Sequence, residues 1–227
     1  MPTSHDAQEA TLSQHPPPFL PLGGLDEAGK RRVIWAVGIE GAMFLVEMLA
    51  GQAAGSQALK ADSLTFLAAA LTQGLSFWAI GRTTAPKAIA ALGEAAALVL
   101  IGLGVAGATL YHCFAADIPD AAVMGAVGLL ALLANLAVVT MLESQRRTYA
   151  AVAAIWLRAR NDGIGNVAVL AAAIAVYVMG NRGADLVVGG VIVALFLTTA
   201  GQRLRRADLD WKAYRANLPV GLKDGRP

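Results

Sequence analysis

AAVMGAVGLLALLANLAVVTML, residues 121–142, runs for 22 residues without one charged side chain. A helix rises ~1.5 Å per residue, so this run can cross a hydrocarbon core of ~30 Å. Its apolar residues are continuous rather than alternating. That argues against a barrel strand and for a helix whose backbone hydrogen bonds are satisfied internally. Asn135, within LLANLAVV, is an inter-helix donor and acceptor, and such amides more often serve packing, at under ~2 kcal/mol, than ligation.

Outward from that run, five more apolar segments follow the same rule: Val33–Ala53, Gln57–Gly81, Ala88–Phe114, Tyr149–Gly180 and Ala184–Leu204. Composition agrees, with 56% hydrophobic and 15% charged residues among 227 and a mean hydropathy of +0.56. The expectation is an all-α integral membrane protein of six transmembrane helices. Residues 1–32 read as a flexible cytoplasmic tail, 33–206 as the transmembrane domain and 207–227 as a short cytoplasmic tail. Lys30, Arg31, Arg32, Arg82, Lys87, Arg146, Arg147, Arg203, Arg205 and Arg206 all flank one side, against Arg182 on the other. Both termini are therefore expected in the cytoplasm, and the compact chain suggests a bacterial inner membrane. A net charge of +2 without a basic run leaves no footprint for nucleic acid. The lone Cys113 allows neither an intramolecular disulfide nor a CxxC zinc site. There is no HExxH or GxSxG, so no enzyme and no cofactor is expected.

Ionisable residues inside apolar segments each cost about 2.5 to 3.5 kcal/mol at a helix centre unless paired or hydrated. Glu40, Glu47, Lys60, Asp62, Glu94, Arg158, Arg160, Asp162 and Asp185 must therefore face the bundle interior. In IWLRARNDGIGNVAVL, residues 155–170, Arg158 and Asp162 are four apart and share a helix face, where guanidinium and carboxylate can pair. Arg160 points elsewhere. The bland reading, a pair that only locks helix register, has equal weight here. Asn161 and Asn166 extend the polar stretch, and Gly163 with Gly165 permit close helix approach. Glu94 reads equally as a proton carrier or as the partner of a basic neighbour. His112, at the outer end of its helix, reads as an interfacial residue, and Trp35, Trp78, Trp156 and Trp211 as interface anchors and lipid-facing rings.

FLVEMLAGQAAGSQALKADSLTFLAAAL, residues 44–71, resembles the first two helices of the cation diffusion facilitator family. WLRARNDGIGNVAVLAAA resembles the family's fifth helix, and GADLVVGGVIVALFLTTAGQRLRR its sixth. The resemblance covers about residues 33–206 and implies metal efflux coupled to protons by alternating access. It also implies a tetrahedral site made by two helix-two and two helix-five ligands, a geometry that suits zinc. Those positions fall here on Thr65, Ala69, Arg158 and Asp162, so Asp162 alone is retained. The His-rich loop is replaced by ESQRRTYA, and the family's carboxy-terminal domain has no counterpart after residue 206.

Two readings follow from the resemblance. In one, Asp62, Glu47 and Asp162, with Thr65 and the Asn166 amide, bind a divalent metal cation through oxygen, and Arg158 is a built-in counter-charge. In the other, Arg158 fills the former metal position and the chain is a non-transporting scaffold or accessory subunit. The partners implied are the lipid bilayer, the cation and protons; a homodimer rests on the resemblance alone.

Overall fold

The computed structural model describes residues 20–114 and 117–216. It consists of six long helices: α1 Glu27–Ala54, α2 Gln57–Trp78, α3 Thr84–His112, α4 Ala121–Leu142, α5 Ala150–Met179 and α6 Gly183–Ala216. A 3-10 turn, Leu22–Gly24, precedes α1. Residues 1–19 and 217–227 of the expected tails, including His5 and His15, lie outside the described residues.

Local chemistry explains where the helices start and stop. Asp26 caps α1 by accepting the Gly29 N–H at 2.7 Å, so the helix begins six residues before Val33 and carries Lys30, Arg31 and Arg32 in its opening turns. It stops at Gly55, whose φ of +70° is the left-handed conformation that glycine adopts without strain. Ser56 then caps α2, accepting the Leu59 N–H at 3.1 Å. α6 continues past Leu204 to Ala216, and its 34 residues at ~1.5 Å each outrun the hydrocarbon core.

Five helices, α1, α3, α4, α5 and α6, are long and apolar enough to cross a membrane. α2 is long enough but too polar to qualify alone. Thirteen of its 22 residues are buried, so it is the helix least exposed to lipid, and neighbouring helices receive its polar side chains. α2 packs against α1, and α5 against α4, while α1 contacts α4 to complete a four-helix body. α3 pairs with α6, and this pair leans mainly on α2.

Apolar clusters sit at the two ends of the four-helix body. At the end carrying the basic flanks, Val33, Ala36, Val138, Leu142, Val152 and Ile155 pack together with Leu22 and Leu25. At the opposite end Leu59, Met124, Val169, Val176 and Ile192 do so. The polar residues Glu40, Glu47, Asp62, Asn135 and Asn166 are buried, and by chain position they fall between the two clusters. At the opposite end α6 is tied to α2: Asp185 accepts the Ser56 hydroxyl at 2.7 Å and the Gln57 and Ala58 N–H groups at 2.9 and 3.0 Å. Gly189 makes this approach possible, because a Cβ there would lie 2.8 Å from the Gln57 carbonyl carbon.

Candidate functional site

A cavity of about 760 Å³ opens between α2, α5 and α6. Its polar lining includes Asp62, Thr65 and Gln73 from α2, Arg158 and Asp162 from α5, and Arg203 from α6. Asp62, Thr65 and Gln73 can share a wall because 3 and 8 residues are close to whole helical turns.

The expected pair on α5 forms: Arg158 Nε lies 3.6 Å from Asp162 Oδ2. The same guanidinium reaches across to α2, where Nη2 donates to the Thr65 carbonyl oxygen at 2.9 Å. Arg158 thus spans the gap between two positions at which the family resemblance places ligands. Thr65 Oγ1 donates to the Asp62 carbonyl at 2.9 Å, so its hydroxyl is turned back onto its own helix. Ala69, the remaining aligned position, is buried and apolar.

Glu47 lies behind this wall with its carboxyl group against that of Asp62, and both side chains are almost completely buried. Two ionised carboxylates offer only acceptors, so the pair is satisfied only when a proton or a cation lies between them. Both Glu47 oxygens and Asp62 Oδ2 have no hydrogen-bond donor. Asp62 Oδ1 lies against Gly165 of α5, 3.5 Å from where a Cβ would stand, an ordinary contact. Asn166 follows it, fully buried, with both amide atoms unpaired. Glu47 and Asn166 therefore stand behind the cavity wall rather than on it. Among the described residues no three His, Cys, Asp or Glu side chains come close enough together to hold a metal ion.

Other polar groups surround the site that sequence reasoning assigned no place in it. Gln73 donates its side-chain N–H to Glu40 of α1. At the basic end Thr72, Glu94 and Arg203 join α2, α3 and α6: Arg203 Nη1 lies 2.6 Å from Thr72 Oγ1 and 3.5 Å from Glu94 Oε1, and Thr72 is 2.7 Å from Glu94. Glu94 thus has a basic neighbour, Arg203, as one of its two sequence readings had it. Arg203 read in sequence as a flanking charge, and nothing in its spacing pointed to a cavity. Gln73, eleven residues and about three turns from Asp62, carried a spacing signal that could have identified it.

Asn161 also lines the cavity, whereas Arg160, His112 and Asn135 lie away from it. Arg160 is exposed and lies over the Trp156 ring at 5.5 Å, beside Arg146 at 4.3 Å. His112 Nδ1 contacts the Ala108 carbonyl at 2.8 Å, at the end of α3. Asn135 is buried beside Gly163, with its Nδ2 unpaired.

Around the cavity, five carboxyl groups (Glu40, Glu47, Asp62, Glu94 and Asp162) face two guanidiniums, Arg158 and Arg203. The family profile described as the cation efflux transmembrane domain matches residues 33–207. No curated protein matches the chain.

Proposed function

Because the chain belongs to the cation efflux family by a match over residues 33–207, and is thereby a membrane cation transporter, we propose that it exports a divalent metal cation in exchange for protons through a site rebuilt from oxygen ligands. One observation carries this reading: five polar atoms of Glu47, Asp62 and Asn166 are buried in the bundle without a partner. In a lipid-embedded bundle each such atom costs about 1–3 kcal/mol, and more when it is charged. A cation between the two carboxylates removes the cost of their three oxygens, and a proton shared between them does the same. Competition of both for the same oxygens is what exchange requires. An all-oxygen donor set suits a hard cation better than zinc. Arg158 holds Asp162 in place and leaves Asp62 free to bind.

The test is flux into proteoliposomes with Zn, Cd, Co, Mn, Fe(II) and Ni under an imposed pH gradient. Wild type is expected to carry at least one ion, with flux dependent on the gradient. Asp62→Asn, Glu47→Gln and Asp162→Ala should each reduce flux at least about tenfold, on the scale of one charge-assisted contact. Unaltered flux in Asp162→Ala and Asp62→Asn together would remove the shifted site.

Two observations favour a second reading, in which the chain is a scaffold or accessory subunit. Arg158 bridges Thr65 and Asp162 where the resemblance places metal, and no three-ligand metal cluster exists among the described residues. It expects silence with every ion in wild type and in Arg158→His alike.

A further inference from the structure

We propose that residues 20–25, which precede the matched domain, form a strap closing the basic end of the cavity, and that its release admits water and ions to Asp62. Leu20 lines the cavity, and its N–H donates to Ser76 Oγ on α2 at 3.0 Å. Leu22 and Leu25 are 1% and 5% exposed, inserted among Val138, Leu142, Val152 and Ile155 from α4 and α5. Between them the 3-10 turn closes with the Leu25 N–H on the Leu22 carbonyl at 3.2 Å. Gly23 runs alongside Ile80, near the end of α2. The segment therefore crosses from α2 to the α4–α5 pair alongside the cavity that Leu20 lines.

The rest of the bundle makes this crossing consequential. At the opposite end the Asp185 contacts and the cluster around Met124 and Val176 hold the helices together. An ion moving between water and Asp62 then passes the basic end, where Leu20 and Leu22 stand. A short strap held by two or three leucines and one hydrogen bond can open locally while the transmembrane helices remain folded. It is a gate added to the domain from outside its own boundaries, and it concerns access to the cavity rather than the identity of the ion.

Labelling of a single cysteine tests the strap without any transport. In full-length protein carrying Cys113→Ser, Ala68→Cys places a thiol on the cavity wall. Its reaction rate with a charged, membrane-impermeant thiol reagent applied to the basic side reports water access. Leu20→Ser with Leu22→Ser should raise that rate more than about tenfold, because the burial holding the strap is lost. Ser76→Ala, which removes one hydrogen bond, should raise it about fivefold. Leu22→Met, which keeps the burial, should leave it near wild type. Equal rates in all four proteins would overturn the strap. So would an equal acceleration at Ala131→Cys, a buried position in a cluster outside the cavity lining, since that would mean the whole bundle had loosened. Flux assays on the same proteins separate the two proposals. Labelling that responds in a chain carrying no ion removes transport alone, and flux with unresponsive labelling removes the strap alone.

Discussion

Glu47 has no exposure and no donor for either carboxylate oxygen. Such a residue works against folding, and replacing it with an apolar side chain of similar length should relieve about 1–3 kcal/mol. Glu47→Met is therefore expected to raise the thermal midpoint in detergent while abolishing flux, the opposing pattern of a functional residue. A lowered midpoint would mean that the carboxyl is satisfied after all and would undo the argument from orphaned oxygens. Arg158 and Arg160 form a contrasting pair. Arg158→Met strands Asp162 and frees the Thr65 carbonyl, at about 1–3 kcal/mol. Arg160→Met loses only an exposed stacking contact on Trp156, at about 0.5–1 kcal/mol. Equal destabilisation of the two variants would contradict the placement of Arg158. Spacing along one helix sufficed to anticipate the Arg158–Asp162 pair. It could not reveal the reach of Arg158 to Thr65, which depends on how α5 is rotated toward α2.

Among the elements, α2 depends most on its neighbours. Its first turn is held by Asp185 of α6 through one hydroxyl and two backbone N–H groups. Asp185→Ala should cost about 3–5 kcal/mol, since it leaves these buried donors unpaired. Gly189→Ala, which forces a Cβ into the Gln57 backbone, should cost about 1–3 kcal/mol. Thermal unfolding in detergent checks both, and a neutral Gly189→Ala would mean that α6 stands further from α2 than described. The helical spans were legible as runs of apolar residues. Their ends were less so: α1 starts just after Asp26 because that carboxylate accepts Gly29 N–H, and α6 outlasts its apolar run because polar residues can extend a helix into water. α2 was legible as a span only through its length and company, because Lys60, Asp62 and Gln73 make it too polar to stand alone.

On the scale of the whole molecule, a four-helix body meets the α3–α6 pair at two polar ties, Asp185 at one end and Thr72–Glu94–Arg203 at the other. A double-mutant cycle of Glu94→Gln and Arg203→Gln should show a coupling of about 0.5–2 kcal/mol in thermal stability, and additive effects would dissolve the second tie. The sequence by itself determined the six helices, the all-α membrane class, the one-sided basic flanks and the Arg158–Asp162 pair. Each depends on residues close along the chain: a backbone in lipid must bond within its own segment, and residues four apart share a face. Only the tertiary structure decided that Glu47 meets Asp62, that Gln73 meets Glu40, that Asp185 caps α2 and that Leu20 reaches the cavity. Those contacts depend on how helices rotate and approach one another. Between surfaces that are apolar all round, rotation is set by small residues and a few buried polar groups, and no periodicity along the chain records it.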